Sequence, residues 1–228
     1  MKKNMKKAII LSGILCLLLL CGCGGDDDPK ETPANTPAPS SELTAETLKD
    51  YPESPVSDFE FEEDTDGNVS VLRYNGSDEI VVVPSAYEGK PVKYIGAIAL
   101  ANGCSAKAVK LPDSVEEIRE GAFANNENLE MVVLGTGTKK MEDSVFVNCE
   151  NLKEVDLNEG LVTLEGAPFA FCPSLKSIYI PGTVTDIDLF RLSGTPEENR
   201  IIYGKKGSIV DEVIKEKGEK YHLTFEER

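Results

Sequence analysis

"LPDSVEEIREGAFANNENLEMVVL" runs from Leu111 to Leu134, and two stretches of the same character follow it. They read "GTGTKKMEDSVFVNCENLKEVDL", Gly135 to Leu157, and "NEGLVTLEGAPFAFCPSLKSIYI", Asn158 to Ile180. Superposed, they fall into register at 23 residues, and the register extends both ways. Ile95, Ile118, Met141, Leu164 and Ile187 form one apolar column; Leu100, Phe123, Phe146, Phe169 and Leu192 form a second. Val109, Val132, Val155, Ile178 and Ile201 form a third, and Leu111, Leu134, Leu157, Ile180 and Tyr203 a fourth. Four columns held through five units, about residues 89–203, imply a repeat solenoid. In such a fold each unit buries its apolar residues only by stacking on its neighbours.

The content of a unit indicates its shape. "LEMVVL", "LKEVDL" and "LKSIYI" are short strand candidates, with apolar residues alternating near their ends. Each leads into a turn such as "GTG" or "NEG", then a second short apolar pair, then a compact "EGAFANN"-like segment. That segment is too short for an independent helix and reads as a helical or 3₁₀ turn. The fold expected is therefore mostly β with short helical turns, in the manner of leucine-rich repeats.

Flanking pieces close the two ends. "DFEFEEDTDGNVSVLRYNG" alternates around Asp66-Gly67, with Phe59, Phe61, Val69 and Val71 on one face, and reads as a capping β-hairpin. Its "DTDGN" lacks the length and closing Glu of a calcium loop. Downstream, Ser208 followed by Asp211 starts a helix whose apolar face is Ile209, Val210, Val213 and Ile214. Gly218 is expected to stop that helix, and "YHLTF" to add a final strand, giving a helix–strand cap.

The pattern LPxxVxxIxxxAFxxCxxLxxVxL resembles the BspA-type (Treponema pallidum-like) leucine-rich repeat of bacterial surface proteins. The opening "YNGSDEIVVVPSAYEGKPVKYIGAIAL" and the closing "YGKKGSIVDEVIKEKGEKYHLTF" are similar to the ends of that family's domains. The likeness covers about Val69 to Phe225. The first unit departs from it with Ala106 in place of a Leu, and the last, "FRLSGTPEENRIIY", lacks both the Phe and the Leu.

Upstream of the repeat, "MKKNMKK" and the 13 apolar residues "AIILSGILCLLLL" have the make-up of a secretory signal, expected over residues 1–22. "LCGC", Leu20 to Cys23, resembles the lipobox of bacterial lipoproteins. The resemblance implies cleavage before Cys23 and lipidation of its thiol, which would anchor the chain to a membrane. Residues 23–56, rich in Pro, Thr, Ser and acid, are expected to be a disordered tether, and 57–228 the repeat domain.

Charge excludes one class of partner. The chain has 24 basic and 40 acidic residues, a formal net charge of −16. Loss of the first 22 residues, with Lys2, Lys3, Lys6 and Lys7, leaves 20 basic against 40 acidic. Such a field repels phosphate backbones, so no nucleic acid is expected.

The residues offer no catalytic, metal or cofactor constellation. His222 is the sole histidine, and Cys104, Cys149 and Cys172 include no Cys-x-x-Cys pair. Cys149 and Cys172 are one period apart, so distance permits a disulfide, but equivalent positions project in parallel. Two free buried thiols are the expectation, and in the resembling family this column is a small buried residue. "GTGTKK" lacks the spacing of a phosphate loop.

The functional surface expected is the strand face. Three columns should point outward there: Lys107, Glu130, Lys153 and Lys176; Ala108, Met131, Glu154, Ser177 and Arg200; Lys110, Val133, Asp156, Tyr179 and Ile202. Apolar groups bordered by charge mark a binding patch. Met131, Val133, Glu154, Asp156, Tyr179 and Ile202 are the candidate partner-binding residues. The expected function is protein binding or adhesion by a lipid-anchored envelope protein, with glycan binding or, less favoured, hydrolysis as alternatives.

Overall fold

The structure, a computed structural model, describes residues 43–185, 187, 192 and 199–228. Cys23, the signal segment and the tether as far as residue 42 lie outside the described residues. A one-turn helix α1 (Ala45–Leu48) leads into a hairpin, β1 (Phe59–Glu63) and β2 (Val69–Tyr74). β3 (Ile80–Val82), β4 (Ala86–Tyr87) and β5 (Lys90–Ile95) follow. Three repeats then contribute two strands each: β6 (Ala108–Lys110) and β7 (Glu117–Ile118), β8 (Met131–Val133) and β9 (Lys140–Met141), β10 (Glu154–Asp156) and β11 (Thr163–Leu164). β12 (Ser177–Ile180), β13 (Arg200–Gly204), α2 (Ile209–Lys217) and β14 (Leu223–Glu227) complete the order.

The chain coils so that each strand pairs with its counterpart in neighbouring turns. One sheet runs β1-β2-β5-β7-β9-β11, with β4 beside β5; a second runs β3-β6-β8-β10; a third runs β12-β13-β14. Apart from β1–β2 and β4–β5 the pairings are parallel, as stacking of successive coils requires. Val71, Ile95, Ile118, Met141 and Leu164 lie in one line across the first sheet. Val81, Val109, Val132 and Val155 do so across the second. Val71 and Val81 show that β2 is a rung of the solenoid as well as an arm of the hairpin, so coiling begins before the first 23-residue unit.

The core is the set of columns read from the repeat. Phe123, Phe146 and Phe169 are all but fully buried and stack, ring centres 5.1 and 5.7 Å apart. On the third side of each coil the "EGAFANN"-like segments form successive i to i+3 turns instead of a helix, as in Ala122 N–H to Arg119 O and Ala124 N–H to Gly121 O. Their other backbone groups bond to the next coil: Phe123 N–H to Val145 O at 2.9 Å, Phe146 N–H to Pro168 O at 2.8 Å. Buried amides are thereby satisfied without a helix. "GTGTKK" is a repeat turn; a Cβ on Gly135 would stand 2.1 Å from Pro112 O, so coils pack there at glycine distance.

One expectation about the repeat register needs correction. The fifth strand is displaced by one residue: Ile178 pairs with Ile202, 24 positions on, and not with Ile201. Ile202 therefore enters the core, while Tyr203 stands beside Tyr179 on the outer face. The displaced strand packs Gly204 against α2, where a Cβ at 204 would approach Val210 to 3.2 Å. The α2 helix begins at Ser208, whose hydroxyl accepts from Asp211 N–H. The helix stops at Gly218 as expected; Gly218 is right-handed, a 3₁₀ turn continues to Tyr221, and His222 turns the chain at φ 56°.

Residues 43–56 depart from the expected tether. Leu48 is fully buried against Ala108 and Met131, with Leu43, Tyr51, Ile80 and Val133 packed around them. Thr44 caps α1 by accepting from Thr47 N–H at 3.1 Å. Ser54 N–H donates to Val82 O at 2.9 Å, Ser85 N–H to Glu53 Oε1 at 2.9 Å, and Lys110 Nζ to Lys49 O at 2.7 Å. The apolar residues of β3, β6 and β8 that point outward are covered by the chain's own upstream strap.

Candidate functional site

The six candidate residues separate into two groups. Met131, 4% exposed, and Val133, partly buried, lie beneath the strap, and Ile202 is in the core at 0% exposure. None of these three lies on a free surface. Arg200, expected in an outward column, also turns inward: its guanidinium donates to Cys172 O, Leu175 O and Leu192 O at 3.1, 2.8 and 3.0 Å. Glu154, Asp156 and Tyr179 remain together on the outer face.

They line a groove of about 730 Å³ over β10, β12 and β13. Pleat alternation puts Glu154 and Asp156 on one side of β10, while Val155 between them is buried. On β12, Ser177 and Tyr179 alternate with the buried Ile178 and Ile180. The displaced register of β13 brings Tyr203 into line with Tyr179. Ala45 of α1 borders one side, and Arg228, held by its N–H to Gly204 O at 3.1 Å, lines another. The Arg228 guanidinium lies 5.8 Å from the centre of the Tyr203 ring.

The groove is acidic and partly shielded from water. Burial raises the Asp156 carboxyl above its usual range, and the charges of Arg228 and Lys49 oppose that rise. Burial likewise raises Glu154, with a further push from Asp156. The Tyr179 hydroxyl is raised by burial and by Glu159 beside it. Lys153 at the edge is paired with Glu130 at 2.5 Å. Such an arrangement suits a cationic or hydrogen-bonding ligand that also offers a flat or apolar surface to the two rings.

Other reactive groups are placed where they do little chemistry. Cys149 and Cys172 are free buried thiols, pushed by burial up to about 12 and about 11. Cys104 is also free and is raised by burial. Among the described residues no three His, Cys, Asp or Glu side chains are grouped to hold a metal ion. A feature the sequence reading missed is the ladder Asn102, Asn125 and Asn148, all at φ near 60°. Asn125 Nδ2 donates to Asn102 Oδ1 at 3.1 Å and Asn148 Nδ2 to Asn125 Oδ1 at 2.9 Å. Phe171 takes the next place at φ 57° and is 76% exposed. The 23-residue spacing of the three asparagines was the signal for it.

Comparison with known proteins agrees with this architecture. The BspA type leucine rich repeat region matches residues 88–205 in six copies. Among solved structures, a leucine-rich-repeat protein of T. pallidum is 21% identical, with 77% of this chain and 98% of that one covered and a TM-score of 0.45. One from Bacteroides capillosus is 26% identical over 55% of this chain and 96% of that one, with a TM-score of 0.49. The pneumococcal vaccine antigen PcpA is 18% identical over 71% of this chain and 45% of its own, with a TM-score of 0.52, a likeness of fold. No curated protein matches the chain. The family match spans over half of the chain and coincides with the stacked coils, and the chain belongs to the BspA-type leucine-rich-repeat family.

Proposed function

We propose that this is a lipid-anchored protein of the bacterial cell envelope that presents a leucine-rich-repeat module, exposed outside the cytoplasm, to bind another protein. The groove over β10, β12 and β13 carries the binding part of this reading: the strap covers the outward apolar residues of β3, β6 and β8 and leaves Glu154, Asp156 and Tyr179 open together. The lipobox-like "LCGC" carries the anchoring part. Tyr179 is the best single anchor, because a tyrosine offers a large ring and a hydroxyl at low ordering cost.

Two experiments test it. Labelled palmitate should enter the full chain in cells and fail to enter a Cys23→Ser variant; label in that variant removes the anchor. Purified wild-type and Tyr179→Ala chains should then differ by about tenfold in affinity for the protein partner, equivalent to about 1–2 kcal/mol. Equal affinity removes the groove as the binding site. The adjacent rings of Tyr179 and Tyr203 favour one alternative, a glycan ligand, which a glycan array with the same two chains separates from a protein.

A further inference from the structure

We infer that the groove receives an arginine-bearing extended segment of a partner protein, and that Arg228 fills the guanidinium position until the partner displaces it. The inference rests on the reading of the groove as the binding face and gives that partner a chemistry.

The chain itself shows what the groove accepts. Arg228 stands over Tyr203, and its charge reaches Glu154, Asp156 and Tyr179. A guanidinium has the flat face that suits an aromatic ring and the donor fork that suits carboxylates. The backbone bond from Arg228 N–H to Gly204 O fixes where its side chain starts, and the residue is exposed to solvent.

Charge balance points the same way. Glu154, Asp156 and Glu159 line the groove, and Glu226 is in register with Tyr203 on the neighbouring strand. Of the cations nearby, Lys153 is engaged with Glu130 and Lys49 with Glu46, each at 2.5 Å. One guanidinium thus faces three carboxylates, and for two of them, Glu154 and Asp156, burial by the groove walls raises the carboxyl, so an added positive charge gains more there than beside a fully solvated acid. Two other occupants have the wrong sign. The upstream stretch with Asp26, Asp27, Asp28 and Glu31 is acidic, and a second copy of a chain with net charge −16 meets the groove with like charge. The volume of about 730 Å³ accommodates a few side chains of an extended segment, not a folded element.

The test uses the purified full-length chain and two fluorescent blocked peptides, (Gly-Arg)₄ and its neutral citrulline counterpart, read by anisotropy. The arginine peptide should bind about tenfold tighter than the citrulline peptide, and a Glu154→Gln/Asp156→Asn chain should lose about fivefold. A Glu62→Gln/Glu127→Gln chain, which removes the same charge at exposed positions outside the groove, should lose less than about twofold. Arg228→Ala should tighten binding by about threefold, since the internal competitor is gone. Equal loss from the two acid pairs, or an Arg228→Ala chain that binds no tighter, overturns the inference. So does a neutral glycan that occupies the groove and resists displacement by the arginine peptide. If Tyr179→Ala loses the natural protein partner while arginine and citrulline peptides bind alike, the groove remains the binding face and only its arginine chemistry falls.

Discussion

The thiol of Cys172 donates to the carbonyl oxygen of Phe146 at 3.0 Å, and that of Cys149 to Phe123 O at 3.2 Å. Asn126 holds the same place one coil earlier and donates to Leu100 O. The column thus needs a small buried side chain with a donor, because the carbonyl it reaches lies in the interior. Cys149→Ser should be better tolerated than Cys149→Val, which leaves Phe123 O with only its bond from Asn126 Nδ2 at 3.1 Å, by about 1 kcal/mol in denaturant titration. Both thiols stay protonated at pH 8, since burial holds them up at about 11 and about 12. Iodoacetamide at that pH should modify them in urea but not in the folded chain; rapid labelling of Cys149 or Cys172 in the native protein, located by peptide mass so that Cys104 is set apart, would contradict the burial.

Phe146 lies between Phe123 and Phe169 in a nearly parallel stack. Phe146→Ala opens a cavity in the middle of the solenoid and should cost about 3–5 kcal/mol. Lys153→Ala breaks only an exposed ion pair with Glu130 and should cost less than about 1 kcal/mol. Thermal melts of the two variants should therefore separate clearly, and coincident melts would refute the placement of Phe146.

Phe171 is a bulky residue in the left-handed region where three asparagines precede it. Its ring is mostly exposed, so little burial is lost on replacement. Phe171→Asn relieves the backbone cost and adds a rung to the amide ladder from Asn148, which should stabilise the fold by about 1 kcal/mol. A melting temperature at or below that of wild type would argue against the ladder as a stabilising device.

Leu48 and Met131 meet face to face beneath the strap. Leu48→Ala should cost about 2–4 kcal/mol of local packing and loosen residues 43–56, read as faster cleavage there by limited proteolysis. Met131→Ser should act in the same way, and because Ala45 of the strap borders the groove, any fall in affinity should accompany the faster cleavage. A loss of affinity without a change in cleavage would return Met131 to the binding face.

Much of the fold was legible because a solenoid repeats its contacts locally. Leu100, Phe123, Phe146 and Phe169 recur at 23 residues and are buried where the period puts them. The site was legible only in part. Glu154, Asp156 and Tyr179 follow from strand alternation alone, but alternation cannot tell an exposed apolar residue from one that another segment covers. Met131 and Val133 are outward on their strands and hidden all the same, because a stretch with little large apolar content keeps Leu48 and Tyr51 for them.

The sequence by itself determined the period, the inward columns of the central units and the parallel stacking. It did so because each of these depends on residues one repeat apart. Tertiary structure decided the phase of the last strand and the extent of the open face. At β13 both Ile201 and Ile202 satisfy an alternating pattern, and tertiary contacts accompany the choice of Ile202 for the core: Arg200 bonds inward to three carbonyls and Gly204 packs against Val210. That selection sets Tyr203 beside Tyr179 and under Arg228. The groove thus arises from contacts between β12, β13, β14 and the upstream strap, elements that no period relates.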